Sequence, residues 1–195
     1  EGGNALADVL FGDLSPSGRL PTTFPVRIED NPTHVGYPGE SGQVVYGEGV
    51  FVGYRYYEHK KIEPLFPFGH GLGYGRFEYG PLQLHQAEYK QGEDLKVSLE
   101  VTNTSTREAQ EVVQLYVHDV ESTRLRPEQE LKAFTKLLLA PGETQRITLA
   151  IGAEALASFD TEQKAWVAEP GEFEIRVGAS SQDIRQRTGL QLTDA

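Results

Sequence analysis

The sequence predicts a mainly β chain, a two-sheet antiparallel sandwich preceded by one helix and strand of an α/β layered unit and by an aromatic-rich connection. Short runs with partial period-2 alternation recur from about Phe77 onward, and the turn signals Gln91-Gly92, Pro141-Gly142 and Pro170-Gly171 separate them. A single helical pattern opens the chain. Between the two, glycine and proline break up a stretch crowded with aromatic rings.

The opening EGGNALADVLFG places Ala5, Leu6, Val9 and Leu10 at i, i+3/i+4 spacing, with Asn4 as a start signal and Gly12 at the left-handed stop. Next, Ser15-Pro16-Ser17-Gly18 is a turn, and Leu20 to Phe24 is a short extended piece. Pro21 and Pro25 confine that piece to the edge or end of a sheet. One helix and one strand cannot bury enough apolar surface to fold alone.

Residues 26–50 are irregular, with turns at Asn31-Pro32, Pro38-Gly39 and Ser41-Gly42. GVFVGYRYYEHKKIEPLFPFGHGLGYGRFEYG follows, holding nine aromatics. That density has two readings: rings buried as an interdomain buttress, or a platform for stacking sugar rings. Beyond it, seven strand-like runs follow. In DLKVSLEVTN, Leu95, Val97, Leu99 and Val101 share one face. Ala155, Leu156, Ala157 and Phe159 suggest a helical turn between strands, and Trp166, the sole tryptophan, is expected in or beside the sandwich core.

The composition narrows the chemistry. Among 195 residues, 38% are hydrophobic and 24% charged, as in ordinary globular domains. A net charge of −11 argues against a nucleic-acid partner, and no apolar run approaches the roughly 20 residues a membrane helix needs. Cysteine is absent, which excludes disulfides and thiolate chemistry. Methionine is absent too and the chain begins with Glu1, so it is expected to be a portion of a longer polypeptide. The compartment stays open.

Candidate catalytic groups are few. The five histidines are scattered without ligand spacing, so no metal is expected. His70, between Gly69 and Gly71, reads as a structural imidazole bonded to a backbone carbonyl in a tight turn. Glu40 and Glu48 form one of many possible carboxylate pairs in an acidic chain and carry no assignment. No glycine-rich phosphate cradle is followed by a helix. No catalytic residue is assigned.

Three long motifs identify a family. EGGNALADVLFGDLSPSGRLPTTFP, YGEGVFVGYRYYEHKKIEPLFPFGHGLGYGRFEY and EVVQLYVHDVESTRLRPEQELKAFTKLLLAPGE resemble, in that order, the C-terminal end of glycoside hydrolase family 3, nearest to its β-glucosidases. The resemblance implies that residues 1–30 end the family's α/β-sandwich domain. It implies an ordered interdomain segment over 31–76 and a fibronectin type III-like (immunoglobulin-like) domain over 77–195. Family members are retaining enzymes, with an aspartate nucleophile in an N-terminal barrel and, in the β-glucosidases, an acid/base glutamate in the α/β domain. Both lie upstream of the opening motif, so neither Asp13, Glu40 nor Glu48 inherits a role.

The resulting expectation is the structural C-terminal portion of an exo-acting β-glucosidase. Its partners would be the upstream barrel and α/β domain and a β-glucoside substrate, with no cofactor. A family β-xylosidase or arabinofuranosidase is the near alternative. A noncatalytic module that binds polysaccharide or mediates homodimerisation is the distant one, supported by the rings of Tyr54, Tyr56, Tyr57, Phe66 and Phe68. Tyr54, Tyr56, Phe66, Phe68 and His70 are the interdomain structural candidates. Tyr37 and Tyr46, on the glycine-rich loop from about Val35 to Val50, are the substrate-rim candidates.

Overall fold

A computed structural model describes residues 1–86 and 88–194. The chain opens with α1 (Gly2–Phe11), which ends at Gly12 with φ 84°, the left-handed stop expected there. Asn4 is not the cap. Glu1 precedes the helix, and the Asn4 amide donates to the Glu1 carboxylate from within the first turn. The apolar face of α1 is exposed: Leu6, Leu10 and Phe11 are 60%, 69% and 84% accessible.

Leu20 to Phe24 runs extended and pairs with 66–70. Leu20 donates to the His70 carbonyl, Gly69 to that of Leu20, and Phe24 and Phe66 exchange both bonds. Pro21 and Pro25 keep the pairing from lengthening, and only Phe24 and Phe66 form a ladder bridge. A one-turn 3-10 helix follows at Ile28–Asp30. Helix α2 (Tyr54–Lys60) was not foreseen in the sequence. Gly53 and Lys61, both at positive φ, delimit it, and its Tyr54 and Tyr57 are buried.

The sandwich contains more and shorter strands than seven. The first strands are short: β1 (Phe77–Tyr79), β2 (Gln83–Leu84) and β3 (Glu88–Lys90). The long strands are β4 (Leu95–Asn103), β5 (Ala109–Asp119), β6 (Glu130–Leu139) and β7 (Thr144–Ile151). After a 3-10 turn at Ala153–Leu156, where a helical turn was expected, come β8 (Ser158–Asp160) and β9 (Ala165–Val167). Strands β10 (Gly171–Gly178) and β11 (Ile184–Thr193) complete the fold.

In one sheet β4 pairs with β1 and β2 along one edge and with β7 along the other. The second sheet runs β3-β11-β10-β5-β6. All its pairings are antiparallel except β3 with β11, which is parallel and corrects the purely antiparallel expectation. The inner faces meet as alternation requires. Leu95, Val97, Leu99 and Val101 of β4 face Val113, Leu115, Phe173, Ile175 and Val177 across one continuous core.

Trp166 lies outside that core and is 69% exposed. Its segment belongs to the separate β8-β9 hairpin, where Trp166 pairs across the strands with Phe159 and their rings meet edge to face at 5.7 Å. Arg124 bridges Asp160 at 2.7 Å and Glu169 at 2.6 Å, which ties the turn end of β8 and the segment after β9 to the loop after β5.

Asn103 is a buried polar anchor for the sandwich. Its amide donates to the Arg107 and Leu139 carbonyls at 2.8 Å, while its oxygen accepts from Ser105 N–H and hydroxyl. Phe173, fully buried, faces the opposite sheet. Phe173→Ala should cost about 3–5 kcal/mol in urea denaturation, with secondary structure retained at low denaturant.

Candidate functional site

The chain's functional geometry lies where residues 1–76 meet the outer face of the five-stranded sheet. Strand β5 is covered on both sides. Val113, Leu115 and Val117 enter the sandwich core, whereas Gln114 and Tyr116 point outward and are still buried, at 3% and 0% exposure. What covers them is the aromatic connection. Tyr54 of α2 stacks on Phe68 at 4.7 Å and stands edge-on to Tyr116 at 6.1 Å.

Polar groups fix the register of this contact. The Gln114 amide donates to the carbonyls of Gly69 and Ala179, and its oxygen accepts the Tyr116 hydroxyl at 2.6 Å. Leu131 N–H donates to the Tyr54 hydroxyl oxygen at 2.8 Å, and Ser181 N–H to the Phe68 carbonyl. Burial holds the Tyr54 and Tyr116 phenols above the ordinary tyrosine range, so both stay neutral hydrogen-bonding groups. Gly69 explains part of the glycine punctuation. It sits at φ 79°, and a Cβ there would overlap the Gln114 amide.

Charged tethers flank the rings. Arg55 of α2 meets Glu130 at 3.2 Å, and Arg19 meets Glu111 at 2.9 Å. At the far end the Tyr74 hydroxyl donates to the Val9 carbonyl at 2.7 Å, and Arg107 to that of Gly12 at 3.2 Å. Both bonds reach carbonyls at the C-terminal end of α1, where donors and a cation are favourable. The helix is held against the sandwich with its apolar residues turned outward.

The sequence candidates are placed as follows. Tyr54 and Phe68 form the central stack, and Tyr56 is half-buried with its ring edge-on to Tyr57. Phe66 is 39% exposed and stands edge-on to Phe24. His70 stacks on Phe66 at 5.2 Å rather than bonding a carbonyl through its ring; the backbone N–H of His70, not the imidazole, makes the turn bond, to Pro67. Tyr54 and Tyr57 are buried, so the five rings make no single open platform of the kind a sugar-binding module needs.

Tyr37 and Tyr46 are 77% and 84% exposed. Tyr37 lines a cavity of about 530 Å³ within its own loop, beside Val35, Glu40, Gln43 and Val45; Tyr46 does not line it. Backbone bonds between Glu40 and Gln43 and between Thr33 and Gly36 give this loop an ordered shape. Among the described residues no group of three or more histidine, aspartate or glutamate side chains is placed to hold a metal ion. The groups that sequence reasoning missed are Gln114, Gln129 and Glu58, polar residues with partners distant in the chain, such as Gly69 45 positions from Gln114 and Glu58 71 positions from Gln129.

Gln114→Ala would leave two carbonyls without their donor and a buried phenol without its acceptor. Each group left unpaired should cost about 1–3 kcal/mol. Hydrogen exchange should rise at residues 66–70 before it rises in β4.

Two families match the chain: the glycosyl hydrolase family 3 C-terminal domain over residues 1–54, and the fibronectin type III-like domain over residues 111–181. Thermostable beta-glucosidase B of Acetivibrio thermocellus is 50% identical over 182 residues, covering 93% of this chain and 24% of that protein. A beta-glucosidase of Rhizobium radiobacter is 50% identical over 194 residues, covering 97% and 24%. The crystal structure of a family 3 beta-glucosidase from Bifidobacterium adolescentis superposes with a TM-score of 0.93 at 42% identity, over 98% of this chain and 28% of that one. The chain thus spans about a quarter of the length of the curated relatives it matches. From its three motifs, its sandwich and these matches, the chain belongs to glycoside hydrolase family 3, as a C-terminal portion that joins the end of the family's C-terminal domain to a fibronectin type III-like domain.

Proposed function

We propose that the chain is the structural C-terminal portion of a retaining, exo-acting β-glucosidase. The whole enzyme would release terminal non-reducing β-D-glucosyl residues through a covalent glycosyl-aspartate, with both catalytic carboxylates in the upstream polypeptide. In this reading residues 1–30 complete the α/β-sandwich domain, 31–76 form the interdomain segment and 77–195 the added sandwich. Tyr54, Tyr56, Phe66, Phe68 and His70 are its structural ties.

The observation that carries this reading is the outward apolar face of α1. A ten-residue helix with no buried residue is not stable alone. Yet Tyr74 and Arg107 fix it in place with Leu6, Leu10 and Phe11 exposed. A face so held fits a cover supplied by upstream chain. The names of the relatives, beta-glucosidases from Acetivibrio thermocellus and Rhizobium radiobacter, support the substrate class.

Grafting these residues in place of the matching C-terminal quarter of the Rhizobium radiobacter relative tests the proposal. The chimaera should hydrolyse an aryl β-glucoside, and the chain alone should not. A folded chimaera with no activity on the aryl β-glucoside would overturn the proposed structural role. Activity of the chain alone would end it.

Tyr37 and Tyr46 are proposed to shape the rim beyond the first sugar, because their ordered loop exposes both rings. Replacing both by Ala in the chimaera should lower kcat/KM for cellobiose more than for an aryl glucoside. Equal, small effects on both would remove the rim role.

A further inference from the structure

Glu58 is the one acidic side chain of α2, and it points at the sandwich. Its Oε1 accepts from the Gln129 amide at 2.9 Å, while its Oε2 is buried without a hydrogen-bond partner. Gln129 cannot turn to offer more. Its own oxygen accepts from Arg176 at 3.2 Å, and its amide also donates to the Ser181 carbonyl at 2.7 Å. A carboxylate here has only neutral donors, the Gln129 amide and the nearby Ser181 hydroxyl, where it can accept about four bonds; a carboxylic acid leaves less unsatisfied.

Cations lie near but are engaged elsewhere. Arg176 bonds Glu174 at 2.5 Å and Glu128 at 3.0 Å, and Arg187 bonds Glu174 at 3.2 Å. Lys61 and Glu63, just beyond α2, line the same open cavity of about 450 Å³, which gives the carboxyl a route for proton exchange. From the loop before β6, Glu128 adds negative charge, and from the β10–β11 loop Ser181 offers only a hydroxyl. Tyr116 on β5 is also within electrostatic reach. His118 of β5 faces Glu128 at 3.8 Å.

We propose that the Glu58 carboxyl is a proton-operated latch between the connecting segment and the sandwich, closed when the group is neutral and loosened when it ionises. Burial, reinforced by the charge of Glu128, pushes this carboxyl from 4.5 up to about 7. Between those values the docked state binds more protons than the undocked one. The latch is therefore tightest below about pH 4.5, weakens as pH rises and levels off above about 7. The docking equilibrium should shift by up to about tenfold per pH unit inside that window.

The test uses the 195-residue chain. Urea unfolding and hydrogen exchange over residues 54–70 would be compared at about pH 5 and about pH 8 for the wild type, Glu58→Gln and His118→Asn. The wild type should lose protection of 54–70 at the higher pH relative to Glu58→Gln, and His118→Asn should behave as the wild type. Carbon-13 titration of the Glu58 carboxyl in the wild-type chain keeps the test open if a variant fails to fold, and its midpoint should lie near 7. A midpoint near 4.5, a pH profile unchanged in Glu58→Gln, or a profile flattened by His118→Asn instead would overturn the latch.

Discussion

The covering of strand β5 is the constraint on which the rest of the structure depends. A strand in the middle of a sandwich ordinarily buries one face and wets the other. Here the outer face carries Gln114 and Tyr116, and both are as inaccessible as the core beneath them. A buried amide and a buried phenol are tolerable only if every donor and acceptor finds a partner. Those partners come from Gly69, Ala179 and each other, so the outer face of β5 is fully satisfied only when the connection is docked on it. The rings of Tyr54 and Phe68 then supply apolar contact, and Arg55 and Arg19 close the edges with Glu130 and Glu111.

The same economy appears at the end of the sandwich where loops cluster. Arg126, with a side chain 8% exposed, bonds Asp119, Glu130 and the Leu156 carbonyl, gathering β5, β6 and the 3-10 turn around one guanidinium. Arg124 does the same for the β8-β9 hairpin. Planar, multidentate arginines suit such sites because one side chain satisfies several acceptors at once. In a chain of net charge −11, these largely enclosed guanidinium groups are structural cations.

Where local pattern decides the outcome, the sequence was legible. DLKVSLEVTN alternates because β4 buries one face, and Gly12 ends α1 because only a left-handed residue closes that turn. The opening motif, the aromatic motif and the EVVQLYVHDV region together pointed to the family. Where distant residues decide, the sequence was silent. Tyr54–Lys60 is rich in aromatics that favour strands and becomes a helix because Tyr54 and Tyr57 have a surface to bury against. Trp166 was misplaced because a lone tryptophan suggests a core, and nothing nearby reveals that its hairpin stands apart from both sheets. Glu58 and Gln114 are unremarkable letters until the fold sets Gln129 and Gly69 beside them.

The spans of these contacts have a kinetic consequence. Tyr54 reaches Leu131 across 77 residues, Arg19 reaches Glu111 across 92, and Ser17 reaches Lys136 across 119. Hairpins such as β10-β11 close over a few residues, so their loop entropy is small. The connection has nothing to dock on until β5, β6 and β10 have assembled, and its ordering must follow theirs. By the same reasoning it is the first part to let go. The contact spans thus divide the protein into an inner sandwich core and an outer wrap, and local opening of the wrap is expected to leave the inner layer intact.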